Sequence, residues 1–103
     1  MTHNGSMLGL WILRDESGQP LLAKVHDDVY ILAFGSAVKA TRVREALGAH
    51  GAPFLIVAAN VRIVVDRARA DGARGFIVDY DPTLARFTSA HLLPSPPAAA
   101  ARV

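Results

Sequence analysis

The amino-acid sequence predicts a single domain of the α/β class with some α+β character, in the element order β-β-β-α-β-α-β. Its 103 residues are enough for one buried core and too few for two ordinary domains. Hydrophobic residues make up 51% of the chain and charged residues 19%, a balance typical of a globular fold. In the second half, short apolar runs alternate with segments of helical periodicity, the pattern of βαβ units.

Three strands are predicted in the first third of the chain. The apolar runs 8–14 and 21–25 flank the turn sequence 15–20, and together they predict an antiparallel hairpin at the N-terminal side of a mixed sheet. His-Asp-Asp at 26–28 predicts a second turn. The run 29–34 has almost no polar side, which indicates a strand that is buried on both faces.

Two helices follow, each introduced by a capping residue. Ser36 is a suitable N-cap for a helix that ends before Gly48. Asn60 is a suitable N-cap for a second, amphipathic helix that ends at Gly72.

Strands are predicted at 53–59 and 75–80, and the two crossovers of the resulting βαβ units are expected to be right-handed, with their strands parallel. The segment 85–93 fits either a short helix or an edge strand. Residues 1–7 are expected to form a flexible leader, the single domain to span 8–93, and the proline- and alanine-rich segment 94–103 to form a disordered tail.

The composition argues against several classes of protein. There is no cysteine, which excludes disulfides and thiolate metal sites and fits a cytoplasmic location. Eleven basic residues against nine acidic ones give a net charge of only +2, without a basic run, so nucleic-acid binding is not expected. No segment approaches the ~20 apolar residues of a membrane span, and no membrane partner is expected.

The stretch GFIVDYDPTL, residues 75–84, resembles the nucleophile motif of haloacid dehalogenase-like phosphatases, with Asp79, Asp81 and Thr83 in the motif positions. That family places the motif on its first strand and supplies a lysine and further acids later in the chain. After Asp81 this chain has no Asp, Glu or Lys. The two acids are therefore interpreted as the end of a strand and the start of an Asp-Pro turn, and no catalytic residue is assigned.

No metal site or cofactor is predicted. Adjacent side chains in an extended strand point to opposite faces, so the neighbouring residues at 26–28 are poorly placed to share one ion. The four histidines lack the spacing of a helical ligand pair.

The ends of the predicted parallel strands offer one candidate ligand site. Ligands of open α/β sheets bind beyond the carboxyl ends of the strands, and free N–H groups at helix N-termini favour anions. Ser36, Asn60, Arg62, Asp79 and Asp81 follow those strand ends. Ser36 and Asn60 would donate or accept hydrogen bonds, Arg62 would bind an anion, and Asp79 could act as a general base. The alternative is that Ser36 and Asn60 only cap helices.

The segment VYILAFGSAVKATRVREALG resembles bacterial SseB-like N-terminal domains, in which a strand ending in Phe leads through small hydroxyl residues into an Ala-containing helix. The similarity covers roughly residues 8–82. The family's last strand usually ends in an Asn-Pro-type turn, whereas this chain has Asp-Tyr-Asp-Pro. The resemblance implies a small cytoplasmic α/β domain without an established catalytic apparatus, linked to protein contacts.

Two functions follow from these features. The first is a protein-interaction module that pairs with itself, as a dimer, or with another protein, with Trp11 as the candidate interface residue if its strand lies at an edge. The second is a domain that uses the strand-end site either to bind a small ligand or anion or to act as an enzyme.

Overall fold

A computed structural model of the chain describes residues 6–49 and 51–93 and confirms the α/β class with a mixed sheet. The described residues form six strands and two helices, namely β1 Trp11–Ile12, β2 Leu22–Val25, β3 Asp28–Phe34, α1 Ala37–Leu47, β4 Phe54–Leu55, α2 Val61–Ala70, β5 Ala73–Val78 and β6 Ser89–Leu92. The undecided segment 85–93 thus ends in a strand. Residues 1–5 of the expected leader and the expected tail 94–103 lie outside the described residues.

The strand order is β4-β1-β3-β5-β6, with β2 also paired to β3. Only β3 and β5 are parallel neighbours; every other pairing is antiparallel. Because β1 is antiparallel to both β3 and β4, the three strands β3, β4 and β5 all run in one direction, as βαβ units require. The expected parallel set is therefore present, but β1 separates β4 from the other two.

The two helices cover opposite faces of the sheet. The connection from β3 to β4 passes β1 in one direction along the sheet, and the connection from β4 to β5 returns in the other direction. When two such crossovers are both right-handed, their helices lie on opposite faces of the sheet. On one face the buried residues of α2 pack with Ile31 and Ala33. On the other face Ala40 of α1 packs with Leu32 and Phe34. The alternation along β3 explains its nearly continuous apolarity, because it is buried on both sides.

The expected hairpin between the first two strands is present as a short antiparallel contact that bridges Arg14 and Pro20. The strands β1 and β2 themselves pair with β3 and not with each other. Ile12 of β1 lies opposite Ala33, and Leu22 of β2 lies opposite Ile31. Positions that are ten residues apart on the first two strands therefore pair with positions that are only two residues apart on β3. Both strands therefore line the same side of β3 as one interrupted strand. The residues between them, 13–21, form what we call the β1–β2 loop, which is closed by a hydrogen bond of 2.9 Å from the Leu21 N–H to the Leu13 carbonyl.

The predicted turn at 26–28 is confirmed. His26 adopts a left-handed conformation, with φ 57°, and the turn joins β2 to β3 as a tight hairpin in which Val25 faces Asp28. Asp28 is also 3.4 Å from the guanidinium of Arg74 in an exposed ion pair. These observations place His26 and Asp28 in the hairpin, in agreement with the predicted turn.

Three predicted boundaries shift. Met7, assigned to the leader, is buried in the core on the α2 side. The strand predicted at 53–59 contracts to the two residues of β4, because the chain turns at Val57 to enter α2. The strand predicted at 75–80 begins earlier and ends at Val78, since Asp79 has a φ of 57° and leaves the extended conformation.

Strands β5 and β6 approach each other closely at Gly75. The register between β3 and β5 shifts there, since Val29 faces Ala73 but Tyr30 faces Gly75, which leaves Arg74 as the extra residue of a bulge. A methyl group added at Gly75 would collide with the backbone carbonyl of His91 on β6. Glycine is thus required at this position by the neighbouring backbone.

Candidate functional site

The carboxyl ends of β3 and β5 are joined by the side chain of Asp79. Its Oδ1 accepts a hydrogen bond of 2.9 Å from the Gly35 N–H, and its Oδ2 lies 3.0 Å from Nζ of Lys39. The Ser36 hydroxyl, one residue from Gly35, accepts a hydrogen bond of 3.2 Å from the Lys39 N–H and caps α1. Of the five predicted ligand residues, Ser36 and Asp79 are brought together here. Lys39 belongs to the same cluster although the sequence analysis did not single it out.

The contacts of Asp79 indicate a structural role, which yields a prediction. Asp79→Ala removes the acceptor for Gly35 and places alanine at a left-handed φ, so we expect a loss of about 2 kcal/mol in the free energy of unfolding. Asp79→Asn keeps an acceptor and tolerates that conformation, and it should lose less than about 1 kcal/mol, as expected for an exposed ion pair. Urea unfolding of both variants tests this, and equal stability of Asp79→Ala and the parent chain would contradict it.

Asn60 is used by the backbone of its own turn. Its Nδ2 donates a hydrogen bond of 3.1 Å to the Leu55 carbonyl, and its Oδ1 accepts one of 3.0 Å from the Val57 N–H. The predicted side-chain cap of α2 is absent, since no side-chain hydrogen bond of Asn60 reaches that helix. The amide instead covers the outer edge of β4 much as a neighbouring strand would.

The remaining predicted ligand residues do not join the Asp79 cluster. Because β1 lies between β4 and β3, the end of β4 is two strand spacings, roughly 10 Å, from the end of β3. Arg62, in the first turn of α2, is exposed on the β4 side. Asp81 accepts hydrogen bonds of 2.9 and 3.4 Å from the N–H groups of Thr83 and Leu84 within its own turn. The strand order thus separates Ser36 and Asp79 from Asn60, so the five predicted residues do not form one site.

Trp11 lies on an inner strand, paired with Phe34 on one side and Leu55 on the other. Its side chain is half-buried against the core on the α1 side. Trp11 was predicted to contact a partner if its strand lay at an edge of the sheet, and β1 does not lie at an edge. Trp11 can therefore reach a partner only through the face of the sheet.

The strand β6 is an open edge of the sheet. It pairs with β5, and no other strand of the described residues pairs with it. The Leu93 N–H donates to the Arg74 carbonyl on β5, so by alternation the N–H groups of Leu92 and Ala90 point away from the sheet. Leu92 of this strand is 53% exposed, and Leu84, in the turn that precedes the strand, is 57% exposed.

Two cavities flank the β1–β2 loop, one toward each helix. The cavity on the α1 side has a volume of about 340 Å³ and a floor of leucines, including Leu32 and Leu47. The cavity on the α2 side has a volume of about 160 Å³. Arg14 lines both. From the sequence, residues 15–20 were expected only to form a turn, because the cavities that border the loop depend on residues distant in sequence.

The β1–β2 loop is held by Asp15. Its Oδ1 accepts hydrogen bonds from the Ser17 hydroxyl at 2.7 Å, the Ser17 N–H at 2.9 Å and the Gln19 N–H at 3.0 Å. The hydrogen bond from the Ser17 side chain, followed by the one from the Gln19 backbone, lowers the pKa of Asp15 below its usual value. The carboxylate is therefore ionised at neutral pH and its donors hold it within the loop.

Other site types are not found among the described residues. No group of three or more histidine, aspartate or glutamate side chains there could hold a metal ion, and neither helix is long and apolar enough to cross a membrane. Comparison with protein-family models, with curated proteins and with solved structures gave no match for this chain.

Proposed function

We propose that this chain is a cytoplasmic protein-interaction domain that forms a dimer with a second copy of itself through the open edge of β6. The observation that carries the proposal is the contrast between β4 and β6, the two strands at the ends of the strand order; β2, which also has a single strand neighbour, carries the exposed Lys24 that discourages strand addition. The Asn60 amide occupies the outward-facing backbone groups next to β4. At β6 the outward-facing groups of Ala90 and Leu92 have no strand beside them within the described residues. Natural sheets commonly block an edge that must stay unpaired.

A second copy suits this edge because antiparallel pairing of identical strands obeys two-fold symmetry. Each β6 would offer the N–H and carbonyl groups that the other lacks, so one surface serves both partners. Two six-stranded sheets would then join into one continuous sheet. The small net charge of +2 opposes such pairing only weakly.

Exposed apolar side chains of β6 and of the segment that precedes it would add area to this contact. Leu84, Phe87 and Leu92 are exposed by 57%, 37% and 53%. The edge strand carries neither lysine nor proline, the residues that discourage strand addition. Burial of these side chains would supply the non-directional part of the binding free energy, at about 25 cal/mol per Å².

A non-catalytic role is also supported by the Asp79 cluster. Asp79, the carboxylate that the sequence suggested as a general base, is bound to Gly35 and Lys39. The resemblance to SseB-like N-terminal domains, which implies protein contacts, points in the same direction and stays a prediction.

The test is the mass in solution, measured by light scattering at two protein concentrations. We expect twice the 11.0 kDa of the single chain, and we expect the variant Leu92→Lys to be monomeric, because a charged side chain at the edge opposes strand addition. Leu47→Lys, at a similarly exposed leucine on α1, is the matched control and should remain dimeric.

Two results would refute the proposal. One is a monomeric mass for the parent chain at both concentrations. The other is a dimer that survives Leu92→Lys with unchanged affinity, which would place the contact elsewhere on the surface.

A further inference from the structure

We propose that the cavity between the β1–β2 loop and α2, here called the α2-side cavity, binds a small carboxylate that carries an apolar body such as an aryl or branched alkyl group. This site is separate from β6 and does not depend on self-association. Its lining combines two arginines with apolar walls, and it includes no acidic residue.

The two arginines that border the cavity, Arg14 and Arg67, have no carboxylate partner within the described residues. The basic residues that form ion pairs within the described residues are instead Lys39, Arg69 and Arg74. The acid nearest to Arg14 in sequence, Asp15, is bound by donors of its own loop. On the α2 side, Asp71 accepts a hydrogen bond of 3.1 Å from the Gln19 amide. The cavity therefore keeps a net positive charge that an anion can neutralise.

Each guanidinium group lies close to another part of the fold, that of Arg14 to a ring and that of Arg67 to the β1–β2 loop. The guanidinium carbon of Arg14 lies 3.9 Å from the ring centroid of Phe54, a cation–π contact that fixes its position. Nη1 of Arg67 faces the backbone of the loop at Gly18, at 3.9 Å from where a Cβ would stand. Gly18 has a φ of 88°, so the turn that brings the loop to Arg67 depends on glycine. Less side-chain freedom is then lost when a ligand binds.

The walls of the cavity determine which uncharged part of the ligand can fit. Pro20, Phe54, Ile63 and Val64 supply an apolar surface. The volume of about 160 Å³ equals that of about five water molecules, so it accepts one small ring or branched chain. Arginine binds a carboxylate through paired N–H donors. A phosphate would direct polar oxygens at the apolar walls, where they would lack partners.

The experiment uses benzoate as the probe and follows backbone amide signals of the full chain by NMR. We expect saturable shifts at the residues of the cavity, and weaker binding of both benzyl alcohol, which lacks the charge, and inorganic phosphate, which lacks the apolar body. Arg67→Gln should weaken benzoate binding by about tenfold or more. Arg42→Gln, the same change on the exposed side of α1, should alter it by less than about twofold.

Arg14→Lys keeps the charge but loses the planar group that stacks on Phe54, so it should also weaken benzoate binding. The melting temperature of this variant is recorded to show that it is folded.

Four results would overturn the proposal: no saturable shift, benzyl alcohol binding as tightly as benzoate, phosphate binding as tightly as benzoate, or equal losses of benzoate affinity in Arg67→Gln and Arg42→Gln. The last would indicate general attraction of anions to a basic chain.

Discussion

Gly75→Ala is expected to lower the free energy of unfolding by about 3 kcal/mol or more. The new Cβ would meet the carbonyl of His91 and would lie 3.2 Å from Cα of Leu92, and both are backbone atoms of β6 that cannot turn aside as a side chain can. The strand must therefore separate from β5. Thermal unfolding followed by circular dichroism measures the loss.

Gly35→Ala is the matched control for this substitution. Gly35 has no left-handed φ, and an added Cβ there would be 3.7 Å from the Asp79 carboxylate, an ordinary contact. We expect Gly35→Ala to leave stability within about 1 kcal/mol of the parent or to raise it slightly. If Gly75→Ala unfolded at the same temperature as Gly35→Ala, the close approach of β5 and β6 would be disproved. Loss of β6 should also abolish the proposed dimer.

Asn60→Ala is expected to have two effects, a loss of stability and a gain of association. It removes two hydrogen bonds to the backbone, at Leu55 and Val57, which together contribute about 2 kcal/mol. For a domain of this length, that corresponds to a fall in melting temperature of roughly 10 °C. It also uncovers the β4 edge, and a chain that is open at both ends of its strand order can add copies without limit. Light scattering should then show species larger than a dimer.

Gln19→Ala is the control for the loss of an exposed amide. The Gln19 amide donates to the side chain of Asp71 rather than to a strand edge, so its removal should lower stability by less than about 1 kcal/mol and leave the mass unchanged. Equal association of the two variants would mean that Asn60 does not protect the β4 edge.

The sequence was sufficient to predict the types of all elements except β6, because those strands and helices follow from local patterns, whereas the segment 85–93 was left undecided. The turn chemistry at His26, the capping by Ser36 and the apolar face of α2 all depend on residues close in sequence. Strand neighbours depend instead on contacts between distant residues. Nothing in the residues of β1 shows that this strand inserts between β3 and β4, and this insertion divides the predicted strand-end site.

The candidate sites, like the strand order, depend on contacts between residues that are distant in sequence. Asn60 is a good helix cap by composition, yet its amide binds Leu55 and Val57 because the short strand β4 leaves those groups open. Arg14 was not singled out, because its importance comes from Phe54 and Arg67, which are distant in sequence. The residues of Asp79–Asp81 suggested chemistry, whereas the hydrogen bond to Gly35 assigns Asp79 to the end of the sheet.

The interruption between β1 and β2 has a consequence for how this chain can vary. The chain leaves the sheet at Leu13 and returns at Leu21, and the two residues are joined by a hydrogen bond, so the exit and the return lie at one place. Lengthening the segment between them adds only about 0.6 kcal/mol of closure entropy for each doubling, and the register of β3 with its neighbours stays the same. Insertions and deletions in this lineage should therefore concentrate between those two leucines, where they can reshape the bordering cavities while the sheet remains intact.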